Sequence, residues 1–239
     1  ILMGDLFYIK ECSSTNDEIL QFLLYGKSDF IGLYTYNQTG GRGQYGNRWA
    51  IIPEQNLAFS LAANSLNFKI SDSLFNYYTA SIVRDFLASL TEYPVEIKWP
   101  NDIILKGKKV VGILIERKKA QSKNYYIIGI GINILQKDFN EISNAGSLLT
   151  QTGTTFNLSD LTYSLYDTFI KRLSNIPSEE EIMNHFNLHL FRKDKISVFE
   201  IRQKRQNGII KFADKKGELW IELEDGLQSF YHKEVKLLY

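Results

Sequence analysis

The order of apolar and polar residues divides most of the chain into short strands and a few helices. Runs that are apolar throughout, or that alternate apolar with polar side chains, predict strands, and apolar side chains at helical spacing predict helices. The predicted strands are 6–12, 30–39, 56–64 and 125–135. The predicted helices are 13–27, 71–90, 157–173 and 178–191.

Two of the predicted helices begin with the spacing of a capping box, in which a hydroxyl residue and a carboxylate three positions later bond each other's backbone N–H groups. Thr15 with Glu18, and Ser178 with Glu181, have this spacing.

Residues 95–120 indicate two strands around a Pro-Asn-Asp corner and a Lys-Gly-Lys turn. Strands linked by hairpins are therefore expected to dominate the sheet.

The pattern changes near Leu190. Beyond it, short strands are separated by turns at Gln-Asn-Gly, Asp-Lys-Lys-Gly and Glu-Asp-Gly, which is typical of a small antiparallel barrel. We therefore expect an α+β protein with two domains: a mixed β-sheet with helices over residues 1–190, and a C-terminal barrel over residues 191–239.

Composition and charge narrow the class of protein. With 28 Lys and Arg against 27 Asp and Glu, the formal net charge of +1 lacks the basic excess typical of nucleic-acid binders. The single cysteine, Cys12, excludes an intrachain disulfide and a cysteine-rich metal site, and favours a cytoplasmic location. No apolar run approaches the roughly 20 residues that cross a bilayer, and no secretory signal is evident at the start.

The segment 40–49, Gly-Gly-Arg-Gly-Gln-Tyr-Gly-Asn-Arg-Trp, contains the spacing Gly-x-Gly-x-x-Gly. In a dinucleotide-binding fold this spacing ends a strand and begins a helix. Here a stretch with Pro53 and no helical period follows, so a dinucleotide site is excluded. The lack of Lys-Ser or Lys-Thr after the last glycine also excludes a P-loop. A surface turn, in which the glycines only supply positive φ angles, stays open.

Arg42 and Trp49 favour a binding function for this loop. Glycines let backbone N–H groups approach an anion, and the planar guanidinium of Arg42 matches a phosphate or carboxylate. The flat indole of Trp49 offers a surface on which a base could stack. The loop is therefore a candidate site for a nucleotide monophosphate ester.

Three further stretches place glycine or polar residues in or beside apolar strands. They are Lys98–Ile103, Lys108–Glu116 with Lys109 and Gly112, and Gly129–Asn133. A glycine inside a strand often marks the close approach of a ligand or of another backbone. Each stretch alone is also explained by a turn, a bulge or a solvated lysine, but their joint occurrence predicts a binding site.

His185 and His189 lie four positions apart in a predicted helix. The zinc-protease pattern requires Glu directly after the first histidine, where this chain has Phe186. We therefore expect both histidines to be ordinary residues of the helix surface.

Five motifs share one order and spacing along the chain. They are Ser-Thr-Asn at 14–16, QTGGRGQYGNRW at 38–49, KWPND at 98–102, KVVGILIE at 109–116 and GIGIN at 129–133. In these motifs the chain resembles the biotin protein ligases over essentially its whole length. The resemblance implies a class II synthetase-like biotin–lipoate ligase catalytic fold with a C-terminal SH3-like β-barrel. It also implies an enzyme that uses ATP and Mg²⁺ to convert biotin to biotinyl-5′-AMP, and then biotinylates one lysine of a biotin carboxyl carrier protein.

The same resemblance implies roles for individual residues. The biotin-binding set would be Ser14, Thr15, Asn16, Gln38, Gly41, Arg42, Gly43, Gln44, Lys109 and Gly112. The ATP-binding set would be Arg42, Arg48, Trp49, Asn101, Lys109 and Asn133. The catalytic set would be Arg42 and Lys109, which neutralise charge, and Asp102, which orients the acceptor lysine or takes its proton. A helix cap at Ser14 or Thr15, and a turn-forming role for Asp102, stay open.

The resemblance points to the monofunctional type, because the chain starts at the first catalytic strand and lacks a winged helix-turn-helix. We therefore expect no specific DNA binding, while a homodimer stays open. The nearest alternative is a lipoate protein ligase, which shares the fold and chemistry. A non-catalytic binding module is an alternative of another class, which the presence of both Arg42 and Lys109 disfavours.

Two positions depart from the family in a way that concerns retention of the intermediate. Many relatives have arginine at the positions of Gln44 and Leu238, so two cations beside the phosphate are missing. Either Arg48 or another basic group compensates for them, or the adenylate leaks. If the adenylate leaks, we expect purified protein supplied with biotin and ATP to release measurable free biotinyl-5′-AMP. Release no faster than transfer to the carrier would contradict this expectation.

Overall fold

The computed structural model describes residues 5–26, 28–50, 52–120, 122–140 and 142–239. Of Tyr45 it describes the backbone alone. Contacts between residues divide the chain into two compact units. The domain boundary that the sequence predicts near Leu190 stays a prediction. One unit comprises Ile1–Lys69 and Lys108–Ile176, and the other comprises Ile70–Gly107 and Pro177–Tyr239.

The elements follow the hairpin-rich order that the sequence predicts. In chain order the strands are β1 (Asp5–Tyr8), β2 (Phe30–Thr35), β3 (Asn56–Asn64), β4 (Val95–Lys98), β5 (Asp102–Leu105), β6 (Lys108–Ala120), β7 (Lys123–Asn133), β8 (Ile196–Ile201), β9 (Lys204–Ala213), β10 (Leu219–Leu223), β11 (Gly226–Phe230) and β12 (Val235–Leu238). The α-helices are α1 (Thr15–Phe22), α2 (Asp72–Ala88), α3 (Leu148–Thr152), α4 (Leu158–Leu173) and α5 (Glu179–Leu188).

The prediction of two strands over residues 95–120 is wrong, because this segment contains three strands. The Pro-Asn corner, which includes a cis peptide bond between Trp99 and Pro100, separates β4 from β5. Lys106 and Gly107 both have positive φ angles and separate β5 from β6. The two breaks quoted from the sequence thus delimit three strands.

In the first unit the strands lie side by side in the order β1-β2-β3-β7-β6. The pair β1–β2 is parallel and the remaining neighbours are antiparallel. Successive side chains of a strand point to opposite faces, so β3 contributes to two layers. Phe59 contacts Phe169 of α4 on one face, with ring centroids 6.4 Å apart. Ala62 belongs to the apolar cluster with Ile19 of α1 on the other face.

Helix α1 is shorter than the predicted helix 13–27, whose last residue, Lys27, lies outside the described residues. The capping box predicted for it is wrong. Ser14 is the N-cap residue and makes no side-chain cap. The N–H of Thr15 instead donates to Oε1 of Gln38, at 2.9 Å, so a side chain distant in sequence satisfies the start of the helix.

The second unit contains the β4–β5 hairpin, the helices α2 and α5, and a five-stranded antiparallel sheet in the order β11-β10-β9-β8-β12. The predicted C-terminal antiparallel strands are therefore confirmed. Helices α2 and α5 contact through Tyr77 and Phe186, whose rings stack 4.0 Å apart. Over the described ranges, no helix has the length and apolar character that crossing a membrane requires.

The capping box predicted at the start of α5 is confirmed. Oγ of Ser178 accepts from the N–H of Glu181 at 3.3 Å, and the Glu181 carboxylate accepts from the N–H of Ser178 at 2.8 Å. Both N–H groups would otherwise depend on water, because the first turn of a helix has no intrahelical acceptors for them.

We expect Ser178→Ala to lower the free energy of unfolding by about 1 kcal/mol, because it removes one half of this reciprocal cap. Ser164→Ala is the matched control, since Ser164 is exposed within α4 and alanine favours a helix interior. Urea denaturation followed by circular dichroism measures both variants. Equal midpoints for the two would show that the cap contributes nothing to stability.

Candidate active site

The candidate site lies in the first unit, where three glycines of two neighbouring strands leave part of one face of the sheet without side chains. Gly112 of β6 pairs with Gly131 of β7, and Gly129 of β7 pairs with Ser60 of β3. A Cβ atom added at Gly129 would meet the side chain of Asn16, and one at Gly131 would meet the indole of Trp49. The bare backbone is therefore what allows these two side chains to lie directly against the sheet.

The indole of Trp49 covers the paired glycines. A Cβ atom at Gly112 would lie 2.8 Å from Cζ3 of Trp49, closer than packed carbon atoms tolerate. The backbone N–H of Trp49 donates to the carbonyl of Gly41 at 2.9 Å, which closes the glycine loop behind the ring. Nζ of Lys109 lies 5.4 Å from the centroid of the ring, within the range of a cation–π contact. The loop and the start of β6 thus meet at this indole.

The Nε1–H of Trp49 is buried and has no hydrogen-bond acceptor within the part of the chain described here. A buried donor without a partner costs about 1–3 kcal/mol. Such a group at the centre of a candidate site is a donor that a bound molecule could satisfy.

A row of polar side chains runs from the loop towards β6 beside this indole. Oε1 of Gln38 accepts from the N–H of Thr15, and Oγ of Ser60 lies 2.7 Å from Oγ1 of Thr15 and 2.6 Å from Oδ1 of Asn16. Nδ2 of Asn16 donates to Oε2 of Glu116 at 2.8 Å. Thr15, Asn16 and Ser60 are all buried, so the row provides amide and hydroxyl groups at defined positions.

The row ends at a cluster of two cations and two carboxylates. Arg42 forms a bidentate pair with Asp17, with Nη1–Oδ2 at 2.7 Å and Nη2–Oδ1 at 3.0 Å, and Nη2 lies 3.3 Å from both carboxylate oxygens of Glu116. Nζ of Lys118 lies 2.6 Å from Oδ1 of Asp17 and 3.8 Å from Oε2 of Glu116. The charges of the four groups balance. The carboxylates of Asp17 and Glu116 therefore orient the guanidinium of Arg42. They bond the N–H groups that a substrate carboxylate or phosphate would use.

The environment of Asp17 favours its charged form. Burial raises the pKa of this carboxyl, but hydrogen bonds from Arg42 and then Lys118 outweigh it and hold the pKa below its ordinary value. The side chains of Arg42 and Asp17 are 43% and 46% exposed, so solvent screens the pair and its contribution to stability is small.

The structure also describes Ser14, Gln44, Arg48 and Asn133, which the sequence predicts for the site. Ser14 is the buried N-cap of α1, and Gln44 begins a short 3-10 turn at 44–46. Nη2 of Arg48 donates to the carbonyl of Thr39 at 3.4 Å, and Nδ2 of Asn133 donates to the carbonyl of Gly146 at 3.0 Å. Their roles towards biotin or ATP stay predictions.

Asn101 and Asp102 belong to the second unit. Asn101 is buried, and Asp102 is the first residue of β5. Nζ of Lys98 lies 4.0 Å from Oδ2 of Asp102. The predicted actions of these two residues on the nucleotide and on the acceptor lysine stay predictions.

Sequence reasoning did not assign Asp17, Ser60, Glu116 or Lys118 to the site. Signals for three of them were present in the sequence. Asp17 directly follows the Ser-Thr-Asn motif, Ser60 is a polar residue in an apolar strand, and Glu116 ends the quoted motif 109–116. Lys118 carried no signal, because it looks like one of several lysines at the solvated end of a strand.

A sequence model described as the biotin/lipoate A/B protein ligase family matches residues 9–133, more than half of the chain. The chain belongs to this family. The match contains the glycine loop, the polar row and the glycine face of β6 and β7.

Two curated relatives carry the name biotin–[acetyl-CoA-carboxylase] ligase. The protein of Mycobacterium tuberculosis is 28% identical over 146 residues, which cover 59% of this chain and 53% of that protein. The protein of Paracoccus denitrificans is 32% identical over 124 residues, which cover 51% of each. The chain therefore matches about half the length of these relatives.

A solved structure similar over the whole chain is that of the biotin protein ligase from Aquifex aeolicus in complex with biotin and ATP. Its TM-score is 0.79 at 26% identity, and the match covers 98% of both chains. The predicted fold class, a mixed α+β fold with C-terminal antiparallel strands, is thus confirmed as that of this family.

We expect the pKa of Asp17 to rise towards the ordinary carboxyl value in Arg42→Gln, because the variant removes the strongest hydrogen bond to the charged form. The stabilisation from this pair is present above the unfolded-state pKa and is lost as the pH falls through the lower pKa of the folded state. Carbon-detected NMR titration of the side-chain carboxyl measures the shift. Arg48→Gln is the control, since Arg48 bonds Thr39 instead. An unchanged titration in Arg42→Gln would show that the pair does not persist in solution.

Proposed function

We propose that this chain is a biotin protein ligase, which activates biotin with ATP to biotinyl-5′-AMP and transfers biotin to a lysine of a biotin carboxyl carrier protein. The observation that carries the proposal is the polar row that leads from Gln38 past the glycine face to Arg42. Membership in the biotin/lipoate ligase family limits the chemistry, and the names of the relatives favour biotin over lipoate.

The polar row suits the ureido group of biotin, which has N–H donors and a carbonyl acceptor on a compact bicyclic ring. Gln38, Thr15, Asn16 and Ser60 supply both donors and acceptors. The glycine face and the indole of Trp49 supply apolar surface beside them. A mostly apolar pocket with a few well-placed polar groups is the usual form of a small-molecule site.

The activation step joins two anions. An oxygen of the biotin carboxylate attacks the α-phosphorus of ATP, the bond to the bridging oxygen of the β-phosphate breaks, and pyrophosphate leaves with the electron pair. Arg42 and Lys109 would hold the carboxylate and the α-phosphate and offset their repulsion. A substrate carboxylate or phosphate would compete with Asp17 and Glu116 for Arg42. Because both ion pairs of Arg42 are partly exposed to solvent, breaking them costs little free energy.

Transfer requires the neutral amine of the acceptor lysine to attack the carbonyl carbon of the mixed anhydride, after which AMP leaves. Asp102 would orient that amine or accept its proton. Asn101, Arg48, Trp49 and Asn133 would contact the nucleotide. A cytoplasmic location and the absence of specific DNA binding stay expectations from the sequence.

Mg²⁺ is expected to enter with ATP, held mainly by phosphate oxygens and water, as is usual for this ion. Among the described residues of the first unit, no three carboxylate, imidazole or thiolate groups lie together as a ligand set. Asp17 and Glu116 are the nearest carboxylates to Arg42, and both are paired with cations.

We expect Lys109→Ala to slow biotin-dependent labelling of a carrier lysine severely, by on the order of 3–4 kcal/mol of transition-state stabilisation, similar to the loss of one oxyanion donor. Lys108→Ala is the matched control, because the Lys108 ammonium bonds the carbonyl of Ser143 and is not assigned to the site. Single-turnover transfer of radiolabelled biotin measures both variants. Equal rates for the two would exclude the assigned role of Lys109.

ATP–pyrophosphate exchange tests the proposed function itself in the unmodified protein. Exchange that depends on biotin supports the proposal. Exchange that depends on lipoate instead would assign the chain to the other branch of the family, and no exchange with either acid would indicate a non-catalytic binding protein.

A further inference from the structure

A second cluster of side chains lies in the other unit, where helices α2 and α5 contact. Asp85 belongs to the last turn of α2, His185 to the last turn of α5, and His189 is the residue that caps the C-terminal end of α5. One ligand atom from each of the three lies within 4.8 Å of the others, and all three side chains are partly buried. Helix α2 thus brings a carboxylate to the two histidines.

The imidazole of His185 already faces the carboxylate of Asp85 with one of its two nitrogen atoms. Nε2 of His185 faces Oδ1 of Asp85 at 3.1 Å, while Nδ1 of His185 is buried and has no hydrogen-bond partner in the described chain. The two rings meet edge to face, with centroids 4.8 Å apart. Two histidines at positions i and i+4 on one helix face form a familiar bidentate arrangement for a transition metal.

The distances suit a small divalent ion. Zinc bonds to nitrogen and oxygen ligands are about 2.0–2.2 Å long, so neighbouring ligand atoms lie about 3.0–3.5 Å apart in tetrahedral or octahedral geometry. The separation of 3.1 Å between His185 and Asp85 already equals such an edge. Because the ligand atoms all lie within 4.8 Å of one another, no pair needs to approach by much more than 1 Å. Rotation of a half-buried ring at a helix end can supply that movement.

The charges around the cluster select the kind of ion. Nη1 of Arg84 lies 3.1 Å from Oδ1 of Asp85, and Nε of Arg84 donates to the carbonyl of Val95. One carboxylate beside a guanidinium is a poor site for Mg²⁺ or Ca²⁺, which prefer several oxygen ligands. Two imidazoles with one carboxylate suit Zn²⁺ or another late first-row ion, with water completing the coordination.

We propose that His185, His189 and Asp85 form a binding site for one zinc-like divalent ion, which links the ends of α2 and α5. The site uses none of the residues assigned to biotin or ATP. It is therefore independent of the proposed function, and its ligand is a metal ion rather than a substrate.

The experiment titrates the full-length, tag-free protein with Zn²⁺ by calorimetry and with Co²⁺ by visible absorption, in the absence of biotin and ATP. We expect one equivalent to bind, with Co²⁺ giving the d–d bands of a nitrogen- and oxygen-ligated site. His185→Gln, His189→Gln and Asp85→Asn should each weaken binding by at least about tenfold, since the loss of even an outer-shell partner commonly costs that much.

The third histidine of the chain provides the matched control. His232 belongs to the same unit but not to the cluster, so His232→Gln should bind as the unmodified protein does. Zn²⁺ should also raise the unfolding temperature of the unmodified protein and of His232→Gln, but not that of His189→Gln. Circular dichroism confirms that each variant is folded.

Two results would overturn the proposal. One is the absence of saturable binding of a single equivalent by the unmodified protein. The other is equal affinity in the unmodified protein and in folded His189→Gln, which would place the bound ion elsewhere.

Discussion

The candidate active site depends on the missing side chains of β6 and β7. Any residue larger than glycine at position 129 would displace Asn16, and any at position 131 would displace the indole of Trp49. The face of the sheet therefore carries no side-chain atoms at these positions. The start of α1 and the glycine loop can lie directly against its backbone. The polar contacts of Asn16 follow from this approach, because Asn16 reaches Ser60 and Glu116 while it lies against the backbone of β7.

The second constraint is the balance of charge at Arg42. Two cations and two carboxylates meet at one end of the polar row, so their charges balance. Exposed pairs of this kind contribute little to stability, since solvent competes for both partners. They do orient the guanidinium, and an oriented cation that exchanges partners at small cost is what a site for two anionic substrates requires.

The two units differ in how their polar residues are used. In the first unit, polar side chains from α1, β3 and β6 form one connected row within the segment that the family model matches. In the second, the cluster of Asp85 with two histidines lies where two helices contact, and the family motifs do not include it. Helix α5 has strong local signals of its own, a capping box at its start and a ring stacked on Tyr77 of α2. Its last turn is thereby held against α2, which is why a carboxylate far away in sequence lies beside the histidines.

The sequence by itself determined the features that arise from neighbouring residues. Apolar periodicity predicted the main strands and helices, the glycine loop was recognised as neither a dinucleotide turn nor a P-loop, and the motifs predicted the family. The tertiary structure decided every feature that depends on a partner remote along the chain. Thr15 looks like a helix cap, yet its N–H bonds Gln38, 23 residues away. Glu116 looks like the polar end of an apolar strand, yet it joins Asn16 to Arg42. The reason is physical: periodicity reports which face of an element is buried, but which polar groups meet on that face depends on how the strands pair and on where a side chain is absent.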